Sequence, residues 1–218
     1  MLLQLNFMKR SFYSVLLLLL TVSAFAQDDD IPNYRSKTQN FSKMMEKDLR
    51  ADLATFTLAG LDESTGKEPL LYAPVVSYAS DSVLLQKDNI RIVIKAGAFD
   101  KSKHKILLYD EKYVTKIDNK PYYGTIGKMP ATTIKYIMIT VGRDTINIPA
   151  TAYNDLYDPK FCRPGAEAKT KCNLGVYFSK DNHHMYVYML NGDGRDGYEV
   201  TWVIQDNKYL RRVLDDDF

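Results

Sequence analysis

Leu174-Gly-Val-Tyr-Phe-Ser-Lys-Asp-Asn-His-His-Met-Tyr-Val-Tyr-Met189 folds back on itself in one way that keeps its apolar residues together. A turn centred on Asp181-Asn182 sets Phe178 against Met185, Val176 against Val187 and Leu174 against Met189. Those six side chains share one face, and the other face collects Gly175, Tyr177, Ser179, His184, Tyr186 and Tyr188. A slip of one residue would move every side chain to the opposite face, so the register is strongly specified. Asp and Asn tolerate the positive φ that tight hairpin turns demand.

The same dipeptide recurs at Asp88-Asn89, Asp118-Asn119 and Asp206-Asn207. Centring on Asp88-Asn89 pairs Leu85 with Ile92 and Val83 with Ile94. A turn at Gly142-Arg143 pairs Ile139 with Ile146, Ile137 with Ile148 and Thr140 with Thr145. The Asp206-Asn207 turn pairs Ile204 with Tyr209 and Val200 with Val213, and sets Arg211 over Trp202, where cation–π attraction would hold it. Both faces of that hairpin are partly apolar, which predicts an interior position. At Asp118-Asn119 the following Pro121 cannot donate to a ladder, which points to a sheet edge.

Before these strands the period is helical. Ser36-Lys-Thr-Gln39 has the form of a capping box, and Phe41, Met44, Met45, Leu49, Leu53 and Phe56 recur at helical spacing, with Glu46 and Arg50 four apart. Residues 61–69 read as a loop and residues 149–157 as a short helix. The fold class expected is mainly β (α+β): an antiparallel, hairpin-rich sheet or sandwich with one N-terminal amphipathic helix. It forms one domain over residues 36–218, a split near residues 124–130 being the alternative.

The N-terminus reads as an address. Lys9-Arg10, the apolar run of residues 12–22 and Ala24-Phe-Ala26 make residues 1–26 a cleavable secretory signal, and residues 27–35 a disordered lead-in. The Ala-x-Ala site followed by Gln27 resembles the leaders of exported Bacteroidota proteins, and Asp81-Ser82-Val83 and Asp144-Thr145-Ile146 resemble their short O-glycosylation triplets. The implied location is periplasmic or extracellular. The leader holds Lys9 and Arg10 and no acids, so 29 basic against 27 acidic residues become 27 against 27 on cleavage. Neutrality removes the basic footprint of a nucleic-acid binder. No second apolar segment is long enough to span a bilayer, which predicts a soluble mature chain. Cys162 and Cys172 are expected to pair in an oxidising compartment.

Candidate chemistry is sparse. Asn191-Gly-Asp-Gly-Arg-Asp-Gly197 places oxygen ligands at Asn191, Asp193 and Asp196 as a calcium loop would, but Arg195 and Asp196 break the usual pattern. His183 and His184 are adjacent and point to opposite faces of a strand; His104 stands among lysines. No nucleophile elbow or phosphate loop is present. Asp193, Asp196 and Glu199 are the most reachable carboxylates for a glycan-directed hydrolase, the alternative function. The favoured reading is a non-catalytic exported module for a glycan, an envelope component or a protein partner. Its binding face would be Tyr177, His184, Tyr186 and Tyr188, with Glu199 counted beside them, since tyrosine offers stacking area and a hydroxyl.

Overall fold

The computed structural model describes residues 43–164, 170–192 and 196–216. The leader, the lead-in and the capping box at Ser36 lie outside the described residues. The strands are β1 (Leu71–Ala73), β2 (Val75–Ala79), β3 (Ser82–Lys87), β4 (Ile90–Ala98), β5 (Ile106–Tyr109), β6 (Tyr113–Ile117) and β7 (Thr132–Val141). They continue with β8 (Asp144–Asn147), β9 (Cys162–Pro164), β10 (Thr170–Cys172), β11 (Leu174–Phe178), β12 (His184–Asn191), β13 (Tyr198–Gln205) and β14 (Lys208–Asp215). One five-stranded sheet has the order β1-β11-β12-β13-β14 and the other β2-β3-β4-β7-β8, with β5–β6 and β9–β10 as separate pairs. Every strand pair is antiparallel. The chain passes from β1 in one sheet to β2 in the other across Pro74 alone.

The inner faces of the two sheets share one buried cluster, in which Val83, Leu85, Ile92, Ile94 and Ile139 meet Val176, Val187, Met189 and Trp202. Alternating apolar residues produce this arrangement because successive side chains on a strand leave by opposite faces. Phe178 faces Met185, Val176 faces Val187 and Leu174 faces Met189, as the turn arithmetic predicts. The loop itself is longer than two residues: Ser179 N donates to the His184 carbonyl at 3.0 Å, and Asp181 accepts from the His183 N–H at 3.0 Å. The Asp88-Asn89 and Gly142-Arg143 turns also hold, with Leu85 opposite Ile92 and Ile139 opposite Ile146. Ile148 lies beyond the last pair of that ladder, Met138 with Asn147, yet is buried in the same cluster. Both glycosylation-like triplets stand where a turn passes into a strand, Asp81 in the turn before β3 and Asp144 at the start of β8.

Four expectations need correction. In the last hairpin Ile204 faces Tyr209, but a bulge between Val203 and Ile204 moves every later pair by one residue. Val200 therefore faces Leu214, and Trp202 faces Arg212 rather than Arg211. Leu210 is the residue that the ladder leaves over, and beyond it the strand is turned over. The hairpin is also not wholly interior, since β14 ends its sheet. In the helical segment, α1 (Lys47–Leu53) buries Leu49 and Leu53, but Met45 is 86% exposed and does not join their face. Residues 149–157 contribute a single 3-10 turn at Ala150–Ala152.

Candidate functional site

The tyrosine face is covered by the chain itself. Residues 44–59 lie across it as a strap: Met44, Leu49, Leu53, Ala54 and Ala59 share a second buried cluster with Tyr186, Val203 and Val213. Phe56 stacks on Tyr177, ring centroids 4.1 Å apart and planes 6° from parallel. Tyr186 is fully buried and donates its hydroxyl to Asp52 at 2.6 Å. Tyr188 donates to Glu199 at 3.0 Å, and Glu199 also accepts the Leu58 and Ala59 N–H groups at 2.8 and 2.7 Å. His184 stacks on Tyr186 at 5.8 Å. The predicted binding residues are thus brought together, but as a packed interior whose ligand is the strap. Several neighbouring apolar positions of β13 and β14 call for such a cover, and the aromatic positions could not reveal by themselves that the cover is Phe56.

Electrostatics follow burial. Loss of solvent pushes the Tyr177 hydroxyl up to about 12. The Tyr186 and Tyr188 hydroxyls are pushed further, first by burial and then by their carboxylate partners. Burial also raises the Asp52 and Glu199 carboxyls, against the donors that bind them. Both Glu199 oxygens are occupied by donors of the chain, so this group is not presented to a substrate. Asp196 is exposed, and Asp193 lies outside the described residues. Of the two described acids of the hydrolase reading, Asp196 is thus in solvent and Glu199 is buried.

Asn191, first in the calcium reading, is held by other parts of the chain. Asn191 is buried, and its side-chain oxygen accepts the Lys160 N–H at 2.7 Å while its amide donates to the Asp158 carbonyl at 3.2 Å. Asn191 is thus a clamp between β12 and residues 157–160. Among the described residues no three or more His, Cys, Asp or Glu side chains are grouped as a metal would need. Two of the three histidines have a carboxylate of their own at a turn: His183 with Asp206 at 2.8 Å and His104 with Asp118 at 2.7 Å.

Cys162 and Cys172 form the disulfide, as opposite residues of the β9–β10 ladder. Beside it a shallow cleft is lined by Tyr78, Ala79, Ser80, Pro159, Lys160, Phe161 and Cys162. The cleft holds one cation and no acid or histidine, so no acid–base pair is available there. Tyr78 closes one side by a 2.7 Å hydrogen bond to Thr170.

The surface that the sequence reading missed is the β5–β6 hairpin. Its register places Leu107 opposite Lys116 and Tyr109 opposite Tyr113 on one face, and Ile106 opposite Ile117 and Leu108 opposite Val114 on the other. The second face has a core of its own: Val114, Ile117 and Tyr157, with Phe99, Ile106 and Tyr122 against them. The first face is open, with Leu107 48%, Tyr109 70% and Tyr113 46% exposed. Val114 also donates to the Gly127 carbonyl at 3.1 Å, which brings the loop of exposed Ile126 and Met129 alongside. His104 and Asp118 tie the base of the hairpin, Asp118 accepting the Lys105 N–H at 2.8 Å. Four consecutive apolar residues, Ile106 to Tyr109, between Lys105 and Asp110 were the available sign, obscured by the bulge between Leu107 and Leu108.

No helix among the described residues is long and apolar enough to cross a membrane. No protein-family model matches this chain, and neither a curated protein nor a solved structure was found to be similar to it.

Proposed function

We propose that this chain is an exported, non-catalytic module that docks on a component of the cell envelope through the open face of the β5–β6 hairpin. The observation that supports the reading is Leu107, Tyr109 and Tyr113 exposed together on strands whose other face is anchored in a core. Apolar side chains gathered on a fixed surface are the usual mark of an interaction site. The tyrosines of β11 and β12 are engaged by the strap, which leaves the hairpin as the better-supplied aromatic surface. The disulfide accords with an oxidising compartment.

The test is retention of the purified protein on isolated envelope material, compared with Leu107→Ser/Tyr109→Ser. Both positions are solvent-exposed, so the variant keeps its fold, verified by an unchanged melting temperature. Loss of retention supports the reading. Equal retention of wild type and variant overturns it.

A further inference from the structure

We infer that the component met by the hairpin is an anionic lipid surface; this deepens the docking reading and rests on it. Residues 101–128 contain seven lysines against three acids, Asp110, Glu111 and Asp118, an excess of four positive charges. The rest of the expected mature chain must then carry the balancing negative excess, since its total is 27 against 27. Positive charge is thus concentrated where apolar side chains are exposed.

The kinds of residue matter as much as the sum. Tyr109, Tyr113, Leu107, Ile126 and Met129 are side chains that enter the boundary between headgroups and acyl chains, and tyrosine is favoured there because one end is apolar and the other wet. Lysine on a flexible stem keeps its ammonium among headgroups while its methylenes lie along the apolar layer. Lys116 stands directly opposite Leu107, and Lys112 sits over the Tyr113 ring at 5.2 Å. A protein partner would favour a different composition, because lysine is depleted in protein–protein interfaces. The acids Asp110 and Glu111 occupy the turn, both at positive φ, and so disfavour entry tip-first. The hairpin therefore meets the surface along its open face, with its lysines attracted to the headgroup phosphates.

The experiment is co-sedimentation with vesicles of phosphatidylethanolamine mixed with phosphatidylglycerol, against vesicles of phosphatidylcholine alone. Wild-type protein is expected to sediment with the anionic vesicles and to be released by salt. Lys112→Glu/Lys116→Glu is expected to weaken binding about tenfold or more, and Leu107→Ser/Tyr109→Ser to abolish it. Equal sedimentation with both vesicle types, or with neither, overturns the inference, as does unchanged binding by both variants. If wild type ignores vesicles while the Leu107→Ser/Tyr109→Ser variant loses retention on envelope material, the lipid assignment fails and the docking reading stands. If that variant keeps its envelope retention, the docking reading itself fails.

Discussion

Trp202 and Arg212 face each other across the β13–β14 ladder and converge on one acceptor, the carbonyl of Ala152. The indole N–H donates to it at 2.8 Å and the guanidinium at 3.3 Å. Arg212 also binds both oxygens of Asp155, at 2.5 and 2.6 Å, in the two-pronged geometry that guanidinium and carboxylate share. This joins the last strand to the 3-10 turn within the buried layer. Arg212→Met is expected to destabilise the protein by about 3–5 kcal/mol, because Asp155 is left with little solvent and without its cation. Urea unfolding measures it, and adding Asp155→Leu should restore much of the loss.

Glu199 holds the strap by two backbone N–H groups that no amide can satisfy equally, since a glutamine would point an N–H₂ at one of them. Glu199→Gln is expected to cost about 1–3 kcal/mol. Its signature is local: faster amide exchange at Leu58 and Ala59, with the amides of β3 and β4 little changed.

At the base of the hairpin Asp118 is lowered from the ordinary value of 3.8, chiefly by its hydrogen bond with His104. A carboxyl lowered in the folded state favours folding above its unfolded value and loses that contribution as pH falls through the native one. Exchange of the Lys105 amide should therefore quicken relative to the intrinsic rate as pH drops below 3.8. Asp118→Asn, which tolerates the positive φ of this turn, should remove the pH dependence.

Reduction of Cys162–Cys172, or Cys162→Ser with Cys172→Ser, is expected to lower stability by roughly 2–3 kcal/mol. Calorimetry under reducing and non-reducing conditions measures this as a melting point lower by several degrees.

Gly175 is required by Tyr72, whose ring would lie 2.2 Å from an added Cβ. Gly175→Ala should displace that ring and loosen β1, costing about 1–3 kcal/mol. Loss of the 3.2 Å bond from the Tyr72 hydroxyl to the Leu174 carbonyl is the structural readout.

The strand registers were legible because a two-residue turn and a period of two leave little freedom, as at Leu85 with Ile92. Leu210 shows where that legibility ends. A bulge adds a residue to one strand without any mark in composition, and it made Arg211 rather than Arg212 the expected neighbour of Trp202. The cover over the candidate site was hidden for a related reason. Tyr186 and Tyr188 satisfy a pattern that both a ligand platform and a covered sheet would show. Only the long-range partners Asp52 and Glu199 separate the two, and alternation within a strand contains no information about them. At residues 106–109 a run of consecutive apolar side chains fits neither period, so the open face was hidden.

The strap meets groups far along the chain: Leu58 binds Glu199 across a separation of 141 residues. A chain emerging from its amino end therefore makes the cover long before it makes the surface to be covered. Until β11 to β14 are complete, Leu49, Leu53 and Phe56 have no permanent seat, and closure of the strap waits on those strands.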